Sequence, residues 1–327
     1  MRDRHGRKIE YLRVSLTDRC NLACTYCNPD RNFSLLPHEE LLTLEEIGLV
    51  VRAFSRLGLK KVRLTGGEPL LRKGIVDLVA RLYAIVGIEE VCLTTNGVLL
   101  GDHADALFRA GVRHVNISLD TLNPERFKEV TGRDEFHRVI SAIHKVIDLG
   151  FSPVKVNTVL LKGVNADELH SFVEMTIAHP IEWRFIEFMP IGTHCRWTEG
   201  DVFTTDEAKE RIEARFGPLE EVYPRGKWHG PARLFRVKGA RGLIGFISPI
   251  SHHFCNTCNR LRLTPEGRLR LCLFSDKEID IKGPIRSGMD EAGLSSFLEE
   301  VVYNKPLGPM AEEREPGCNR AMRAIGG

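Results

Sequence analysis

Six of the nine cysteines in this chain form two groups of three, one near each end. The members are Cys20, Cys24 and Cys27 in the first group and Cys255, Cys258 and Cys272 in the second. Clustered cysteines in a chain that lacks a secretory signal are typically metal ligands, because disulfides are disfavoured in reducing compartments. Iron–sulfur clusters are held by thiolates at such tight spacings. Three thiolates on a four-iron cluster would leave one iron open for chemistry, so each group predicts an iron–sulfur site.

Zinc is the alternative interpretation at both positions. Structural zinc usually takes four ligands, so the first group would form a zinc knuckle only with a distant fourth ligand. At the second group, His252, His253 or Cys195 would complete a zinc ribbon. Cys92, Cys195 and Cys318 stand alone in the sequence, and single cysteines usually behave as small buried apolar residues.

A glycine motif, Gly66-Gly67-Glu68-Pro69, closes the second predicted strand. Its glycines allow the backbone to approach a ligand closely, and the Glu68 carboxylate can accept a hydrogen bond from an ammonium group. Two glycines after a strand more often form only a turn. The position of the motif, one strand–helix unit after the first cysteine group, favours the ligand-binding interpretation.

Two pairs of arginines surround the turn that follows the second cysteine group. Arg260 and Arg262 come directly after Cys258, and Arg268 and Arg270 lie on the predicted return strand. Residues at alternate positions of a strand share one face, so each pair could grip phosphate groups. A solvated basic edge strand is the other interpretation.

Six β-like runs alternate with amphipathic segments over the first two thirds of the chain. The predicted strands are Tyr11–Leu16, Lys61–Thr65, Glu90–Thr94, His114–Leu119, Val154–Leu160 and Glu182–Phe188. Residues 43–46 have the pattern of a capping box, and the helix that they open is expected to end at Gly58. Such alternation predicts a parallel α/β sheet, either open or closed fully or nearly into a barrel.

The pattern changes after about Ala208. Short β-like runs at Arg233–Val237 and Gly242–Ser248 precede a hairpin over Arg260–Leu273 and a helix around Asp290–Tyr303. This part of the chain predicts a small second module packed on the first.

Composition excludes several classes of protein. The chain has 327 residues with 46 basic and 44 acidic side chains, and this balance gives no general signal for nucleic acid or for a membrane surface. No apolar run is long enough to span a bilayer, and the charged amino terminus lacks the apolar stretch of a secretory signal. We therefore expect a cytosolic protein.

The segment from Cys20 to Cys27, CNLACTYC, resembles the signature of the radical S-adenosylmethionine superfamily. The resemblance implies that the open iron of a four-iron cluster binds the amino acid part of S-adenosylmethionine. One electron then cleaves this cofactor to methionine and a 5′-deoxyadenosyl radical. Residues 66–69 resemble the superfamily's segment that holds the methionine amino group.

Over nearly its whole length the chain resembles the GTP 3′,8-cyclase family of molybdenum cofactor biosynthesis. The matching segments are Cys258–Arg262, the terminal Gly326-Gly327, Leu64–Pro69, Leu93–Gly97, Ile117–Asp120, Val154–Asn157 and Arg184–Met189. The resemblance implies an incomplete (βα)6 TIM-like barrel over residues 1–225. A C-terminal module, residues 226–327, would cover the open side and carry a second [4Fe-4S] cluster and the Gly-Gly tail.

The same resemblance implies an activity, in which the deoxyadenosyl radical removes a hydrogen from C3′ of GTP. The resulting carbon radical attacks C8 to give (8S)-3′,8-cyclo-7,8-dihydroguanosine 5′-triphosphate, the first step of molybdenum cofactor biosynthesis. GTP would bind at the second cluster through its guanine. A reductant such as flavodoxin and the next enzyme, cyclic pyranopterin monophosphate synthase, are the implied protein partners, and a homodimer is left open.

Residue by residue, the resemblance assigns the six clustered cysteines to two [4Fe-4S] clusters. It assigns contacts with S-adenosylmethionine to Tyr26, Gly67, Glu68, Ser118 and Met189. It assigns contacts with GTP to Arg13, Arg63, Thr94, Lys155, Arg260, Leu261 and Arg262, with Leu261 contributing its backbone. Among these, Arg13 and Lys155 are expected to serve catalysis, because their grip on the triphosphate would fix the ribose against the radical source.

Two other functions remain as alternatives. One is a radical maturase that acts on a peptide and uses the second cluster as an auxiliary electron relay. The other is a non-catalytic zinc-binding adaptor or RNA-binding module, against which the near-neutral charge and the long α/β body count.

Overall fold

A computed structural model describes residues 1–27, 34–189, 191, 202–223, 230–308, 318 and 320–326. Within these residues the strands are β1 Tyr11–Ser15, β2 Lys61–Thr65, β3 Glu90–Thr95, β4 Val115–Ser118, β5 Val154–Leu160, β6 Ile181–Glu187, β7 Glu220–Val222, β8 Arg233–Arg236, β9 Leu243–Ile247, β10 Arg260–Leu263, β11 Arg268–Arg270 and β12 Glu278–Asp280. The α-helices are α1 Leu44–Arg56, α2 Ile75–Tyr83, α3 Leu100–Arg109, α4 Pro124–Thr131, α5 Phe136–Asp148, α6 Leu169–Ala178, α7 Thr205–Phe216, α8 Lys282–Arg286 and α9 Glu291–Tyr303.

The described strands form one mixed sheet in the order β12-β11-β10-β1-β2-β3-β4-β5-β6-β9-β8-β7. Strands β1 to β6 are neighbours in chain order and pair in parallel, with α1 to α6 in the connections between them. Side chains from β1 to β6 line one common cavity, so the sheet curls around it as a half-barrel. The predicted incomplete barrel of six strand–helix units is confirmed.

The C-terminal strands extend the barrel sheet at both of its edges. Strand β10 pairs in parallel with β1, and β9 pairs in parallel with β6. The predicted C-terminal module is confirmed, and its strands join the barrel sheet because the edges of β1 and β6 carry backbone groups that strand pairing satisfies. The predicted division between residues 225 and 226 stays a prediction.

Each barrel strand has an apolar outer face and a polar inner face. In β1, Leu12 and Val14 belong to the hydrophobic core, whereas Tyr11 and Arg13 line the cavity. Successive side chains of a strand point to opposite faces, so this two-residue period separates the core from the cavity. The same period makes the inner face a place where charged residues accumulate.

Helix α1 begins at its predicted capping box. The predicted capping box at α1 is confirmed, because the Thr43 hydroxyl accepts from the Glu46 N–H at 3.1 Å and the Glu46 carboxylate accepts from the Thr43 N–H at 2.7 Å. Helix α1 ends at Arg56, two residues before the predicted Gly58. None of the helices in the described ranges has the length and apolar character needed to cross a bilayer.

The junction of β6 and β9 gives a first prediction. Gly242 lies just before β9, and a Cβ there would be 2.2 Å from the Ile181 carbonyl oxygen. Because only backbone movement would relieve that clash, we expect Gly242→Ala to lower the free energy of unfolding by about 2–4 kcal/mol. Thermal or denaturant unfolding measures this loss.

The matched control is Gly101→Ala in α3, where the added Cβ would meet Ala142 at an ordinary 3.9 Å. This variant should be as stable as the parent or slightly more stable, since alanine favours helix. Equal stability of the Gly242 and Gly101 variants would contradict the close approach of β9 to β6.

Candidate functional site

A cavity of about 380 Å³ lies against the inner face of the curled sheet. All six clustered cysteines border it: Cys20, Cys24, Cys27, Cys255, Cys258 and Cys272. Residues of the barrel strands and of β10 and β11 form much of its wall. The two cysteine groups, which lie at opposite ends of the sequence, therefore share one site.

The first cysteine group lies on the loop after β1, which is held against the end of α4. The Ala23 N–H donates to the Thr131 carbonyl at 2.8 Å, and the Thr25 N–H donates to the Val130 carbonyl at 2.9 Å. The Cys27 N–H donates to the Cys24 carbonyl at 3.0 Å. These bonds fold the loop so that its three thiols face the cavity.

The three thiols of this loop influence one another's ionisation. The pKa of Cys24 is raised well above its usual value, first by burial and then by Cys27 and Asp120. Burial, followed by Cys20, raises the pKa of Cys27 to about 11. Buried thiolates that repel each other are stabilised by metal ions placed between them, so this donor set fits an iron–sulfur cluster.

The glycine motif after β2 packs directly against the first cysteine loop. The Gly67 N–H donates to the Thr17 carbonyl and the Glu68 N–H donates to the Arg19 carbonyl, both at 2.7 Å. A Cβ on Gly67 would lie 2.2 Å from the Arg19 carbonyl oxygen, and Gly66 has a φ of +146°. Both positions therefore require glycine, and both border the cavity.

Glu68 is held by neighbouring groups of the protein. Its side chain is fully buried and is not among the cavity-lining residues. Its carboxylate accepts from the Leu70 N–H at 3.0 Å, from the Thr95 hydroxyl at 2.8 Å and from the Asn96 N–H at 2.8 Å. Burial raises its pKa to about 7. Glu68 thus fixes the loop after β3, while its expected contact with an ammonium group stays a prediction.

Tyr26, Ser118 and Met189 all border the cavity at its first-cysteine end, as does Gly67. The Tyr26 hydroxyl donates to the Asp120 carboxylate at 2.5 Å, and the other oxygen of Asp120 accepts from the Val159 N–H at 2.8 Å. Burial raises the pKa of Asp120 to about 6. Asp120 holds the Tyr26 side chain in place beside the cysteines.

The second cysteine group lies among basic side chains. The Arg7 guanidinium donates to the Cys255 carbonyl at 2.8 Å, and Lys305, which is 2% exposed, donates to the Leu271 carbonyl next to Cys272. Burial alone would raise the pKa of Cys258, but Arg260 and Lys305 outweigh it and lower that pKa to about 6. These cations favour the thiolate that a metal cluster requires.

Both zinc alternatives require donor side chains that meet at one point. Within the described ranges, no three Cys, His, Asp or Glu side chains converge closely enough to hold a single metal ion. His252 is exposed and pairs with Asp206 at 2.7 Å, while Cys195 lies outside the described residues.

Strand register brings the expected phosphate-binding residues together. Arg262 of β10 is paired with Arg13 of β1, which is paired with Arg63 of β2. The Arg63 guanidinium donates to the Thr94 hydroxyl at 3.2 Å. Lys155 lines the cavity from β5. Basic side chains from four strands therefore face the same cavity.

These cations are buried and repel one another. Burial lowers the pKa of Arg262 well below its usual value, and Arg13 and Arg260 lower it further. Burial, followed by Arg184, lowers the pKa of Lys155 to about 7. A cavity wall of this kind is stabilised by a bound polyanion.

The expected residues that border the cavity, besides the cysteines, are Arg13, Tyr26, Arg63, Gly67, Thr94, Ser118, Lys155, Met189, Arg260 and Arg262. Glu68 and Leu261 do not border it. The Leu261 side chain is fully buried in the core, which agrees with an expectation that concerned its backbone alone.

The second arginine pair does not form a phosphate grip. Arg268 lies 3.5 Å from Asp280, and Arg270, whose side chain is fully buried, is ion-paired with Glu278 at 2.5 Å. Strand β12, which the sequence did not reveal, supplies both carboxylates. Arg270 also donates to the Cys318 sulfur at 3.2 Å, so Cys318 is not the simple apolar residue expected, whereas Cys92 is buried as predicted.

The C-terminal tail reaches the arginines of β1 and β10. The Gly326 carbonyl accepts from Arg13 at 3.2 Å and from Arg262. A Cβ on Gly326 would lie 2.6 Å from the Thr65 hydroxyl oxygen, and its φ is +74°. Glycine is required there, and Gly327 lies outside the described residues.

Several polar residues of the cavity wall were not predicted from the sequence. They are Tyr11, Lys61, Asn116, Asn157 and Arg184. All but Arg184 lie two positions from an expected site residue on the same strand, as Lys61 does from Arg63. The two-residue period of the strands was the signal that could have found them.

Comparison with protein families and solved structures bears on both halves of the chain. Residues 14–176 match the radical SAM superfamily, and residues 181–309 match Molybdenum Cofactor Synthesis C. The fold is similar to the crystal structure of Streptococcus suis SuiB bound to S-adenosylmethionine, with a TM-score of 0.68 and 14% identity over 93% of this chain and 68% of that one. At this identity the similarity shows the fold alone.

Sequence identity to two GTP 3′,8-cyclases is much higher. A GTP 3′,8-cyclase of Pelotomaculum thermopropionicum is 47% identical over 307 residues, which cover 94% of each chain. A GTP 3′,8-cyclase of Thermodesulfovibrio yellowstonii is 46% identical over 328 residues, which cover 100% of each chain. Membership of the radical SAM superfamily implies one [4Fe-4S] cluster and S-adenosylmethionine. Full-length identity at this level, carried by both matched domains, places the chain in the GTP 3′,8-cyclase family of radical S-adenosylmethionine enzymes.

Proposed function

We propose that this protein converts GTP into (8S)-3′,8-cyclo-7,8-dihydroguanosine 5′-triphosphate, the first step of molybdenum cofactor biosynthesis. The observation that carries the proposal is the shared cavity, in which crowded cations and two cysteine groups face one space. A nucleoside triphosphate would offset the repulsion among Arg13, Arg260 and Arg262. Its ribose would then extend toward the first cysteine group.

Cys20, Cys24 and Cys27 would hold one [4Fe-4S] cluster, whose open iron takes S-adenosylmethionine. When bound, these groups supply the deoxyadenosyl radical that removes hydrogen from C3′. The chain's own contribution at this end is placement, since Tyr26, Gly67, Ser118 and Met189 border the same wall. A radical of this kind takes almost any nearby hydrogen, so orientation and exclusion of water matter more than acid–base groups.

Cys255, Cys258 and Cys272 would hold a second [4Fe-4S] cluster, at which the guanine of GTP binds. Support comes from the chemistry of the donor set, because Arg260 and Lys305 stabilise the Cys258 thiolate. Arg260 also lies with its guanidinium 4.7 Å from the centre of the Phe254 ring, a contact that fixes its direction.

The triphosphate would be held by Arg13, Arg63, Lys155 and the arginines of β10, with Arg13 and Lys155 as the residues on which catalysis most depends. Both extend from the inner face of the barrel, where they would fix the ribose by holding its phosphates. A reductant such as flavodoxin would supply electrons, and cyclic pyranopterin monophosphate synthase would accept the product. A homodimer stays a prediction.

The proposal is tested by anaerobic incubation of the reconstituted protein with dithionite, S-adenosylmethionine and each nucleoside triphosphate in turn. The hydrogen lost from C3′ leaves with 5′-deoxyadenosine, and an electron and a proton then return to the nucleotide. The product therefore has the mass of GTP but separates from it chromatographically. We expect this product from GTP alone, and 5′-deoxyadenosine without any cyclised nucleotide would overturn the proposal.

A prediction concerns the second cysteine group. Cys272→Ala should lower the iron content by about four atoms per chain, weaken GTP binding and abolish cyclisation, while some cleavage of S-adenosylmethionine remains. The matched control is Cys318→Ala, which removes a half-buried cysteine outside both groups and should keep its iron. Unchanged GTP affinity in Cys272→Ala would instead make the second cluster structural or an electron relay.

Lys155 gives a prediction about pH. Its pKa in the free protein is lowered to about 7, so its charge is present below that pH and is lost as the pH rises through it. We expect the affinity for GTP to fall between about pH 6 and pH 8, beyond any change caused by the nucleotide's own titration. In Lys155→Met that additional fall should vanish and binding should be weaker at pH 6. Titration calorimetry of both proteins across this range makes the comparison, and parallel pH profiles would contradict it.

Asn96 gives a prediction about the first cluster. Its amide nitrogen donates to the Asn21 side chain at 2.8 Å and lies 3.6 Å from the Cys20 sulfur, and its backbone is fixed by Glu68. Hydrogen bonds to ligand sulfurs raise the reduction potential of a cluster. Asn96→Leu should therefore lower that potential, on the order of tens of millivolts, at unchanged iron content. A redox titration followed by electron paramagnetic resonance measures it, and an unchanged potential would show that the contact has no electronic role.

A further inference from the structure

Asn116 is a buried polar residue of the cavity wall that has no part in the proposed function. It lies on β4, is 6% exposed and borders the cavity. Its side-chain oxygen is buried and has no hydrogen-bond partner among the described residues. An unsatisfied buried carbonyl costs free energy comparable to a lost hydrogen bond, so such an atom in a cavity indicates a ligand that donates to it.

The register of the sheet places Asn116 between two of the expected GTP contacts. It is paired with Thr94 of β3 on one side and with Lys155 of β5 on the other. Paired residues of neighbouring strands share a face, so all three border the cavity at one level. Ser118, assigned to S-adenosylmethionine, lies two residues further along the same strand. Asn116 is therefore on the substrate side of the boundary between the two ligands.

The chemistry of the nucleotide determines which of its groups fits this oxygen. The triphosphate offers only acceptors, and Asn116 needs a donor. The guanine N–H groups are expected at the second cysteine group, on the β10 side of the cavity. The ribose hydroxyls are the donors that remain, and they follow directly after the phosphates that Lys155 is expected to hold.

We infer that the Asn116 side-chain oxygen accepts a hydrogen bond from a ribose hydroxyl of the nucleotide, so that Asn116 discriminates against nucleotides that lack this hydroxyl. This inference rests on the proposed function and adds a specificity-determining contact to it. The contact also orients the sugar ring whose C3′ reacts, because phosphates alone leave the ring free to rotate.

The test is anaerobic equilibrium binding of GTP, 2′-deoxy-GTP and 3′-deoxy-GTP to the reconstituted wild-type protein and to Asn116→Ala and Asn116→Leu. Leucine has the same branched arrangement of four side-chain heavy atoms as asparagine but no polar group, so the second variant keeps the cavity filled. We expect both variants to bind GTP roughly threefold to tenfold more weakly, the loss of one ordinary hydrogen bond. The analogue that lacks the bonded hydroxyl should bind wild type and variants equally well.

Two controls accompany these measurements. Asn304→Ala removes an exposed asparagine at the end of α9 and should change none of the affinities. S-Adenosylmethionine binding to both Asn116 variants should match wild type, because the cofactor is expected at Ser118 and not at Asn116. Weaker cofactor binding at unchanged GTP affinity would assign the oxygen to the cofactor and overturn the inference.

The remaining outcomes separate the inference from the proposed function. If the variants bind GTP and both analogues more weakly by the same factor, or with unchanged affinity, the ribose contact is wrong while the proposed function stands. If the wild-type protein binds GTP no better than Arg260→Ala does, the proposed function fails and the inference with it.

Discussion

The parallel pairing of β10 with β1 is the contact on which the whole site depends. It joins Arg260–Leu263 to Tyr11–Val14, segments from opposite ends of the chain. The pairing satisfies the edge of β1 and sets Arg262 beside Arg13. It also carries the second cysteine group to the cavity that the first group borders. Neither group alone would make a site that holds a radical source and a triphosphate together.

This arrangement buries several cations, which costs free energy. Acidic partners offset that cost in one part of the cavity wall and not in another. Away from β10, acidic partners are close: Lys61 lies 2.9 Å from Glu90, and Arg184 is paired with Glu182. At the junction of β10 and β1, Arg262 donates to the Gly326 carbonyl, which carries only a partial charge. A triphosphate would interact more strongly with these arginines than a peptide carbonyl does. Substrate and tail therefore meet at the same guanidinium groups.

Features of the fold and the site could be predicted where they depend on residues close together in the sequence, and not where they depend on distant segments. The six barrel strands were predicted because their two-residue and helical periods are local properties of the sequence. The pairing of β10 with β1 was not, since parallel pairing between distant segments leaves no local pattern. The phosphate contact expected of Arg270 was wrong, because Arg270 pairs with Glu278 instead. Glu278 lies on β12, a strand of only three residues that leaves no local pattern in the sequence. The sequence motif singled out Glu68 as a site residue. Its burial could not be predicted, because it depends on hydrogen bonds from the loop after β3.

The two ends of the cavity differ in charge, and that difference matches the two molecules that the proposed function brings together. At the first cysteine group, burial and then Asp120 raise the pKa of Cys24. Arg323 acts to lower the pKa of Cys27, but that pKa is still about 11. At the second group Arg260 and Lys305 lower the pKa of Cys258 to about 6. S-Adenosylmethionine carries a sulfonium cation and GTP carries several negative charges. In the proposed function the sulfonium would lie at the end with Asp120 and the phosphates nearer to Arg260, with the ribose of GTP between them at the level of Asn116.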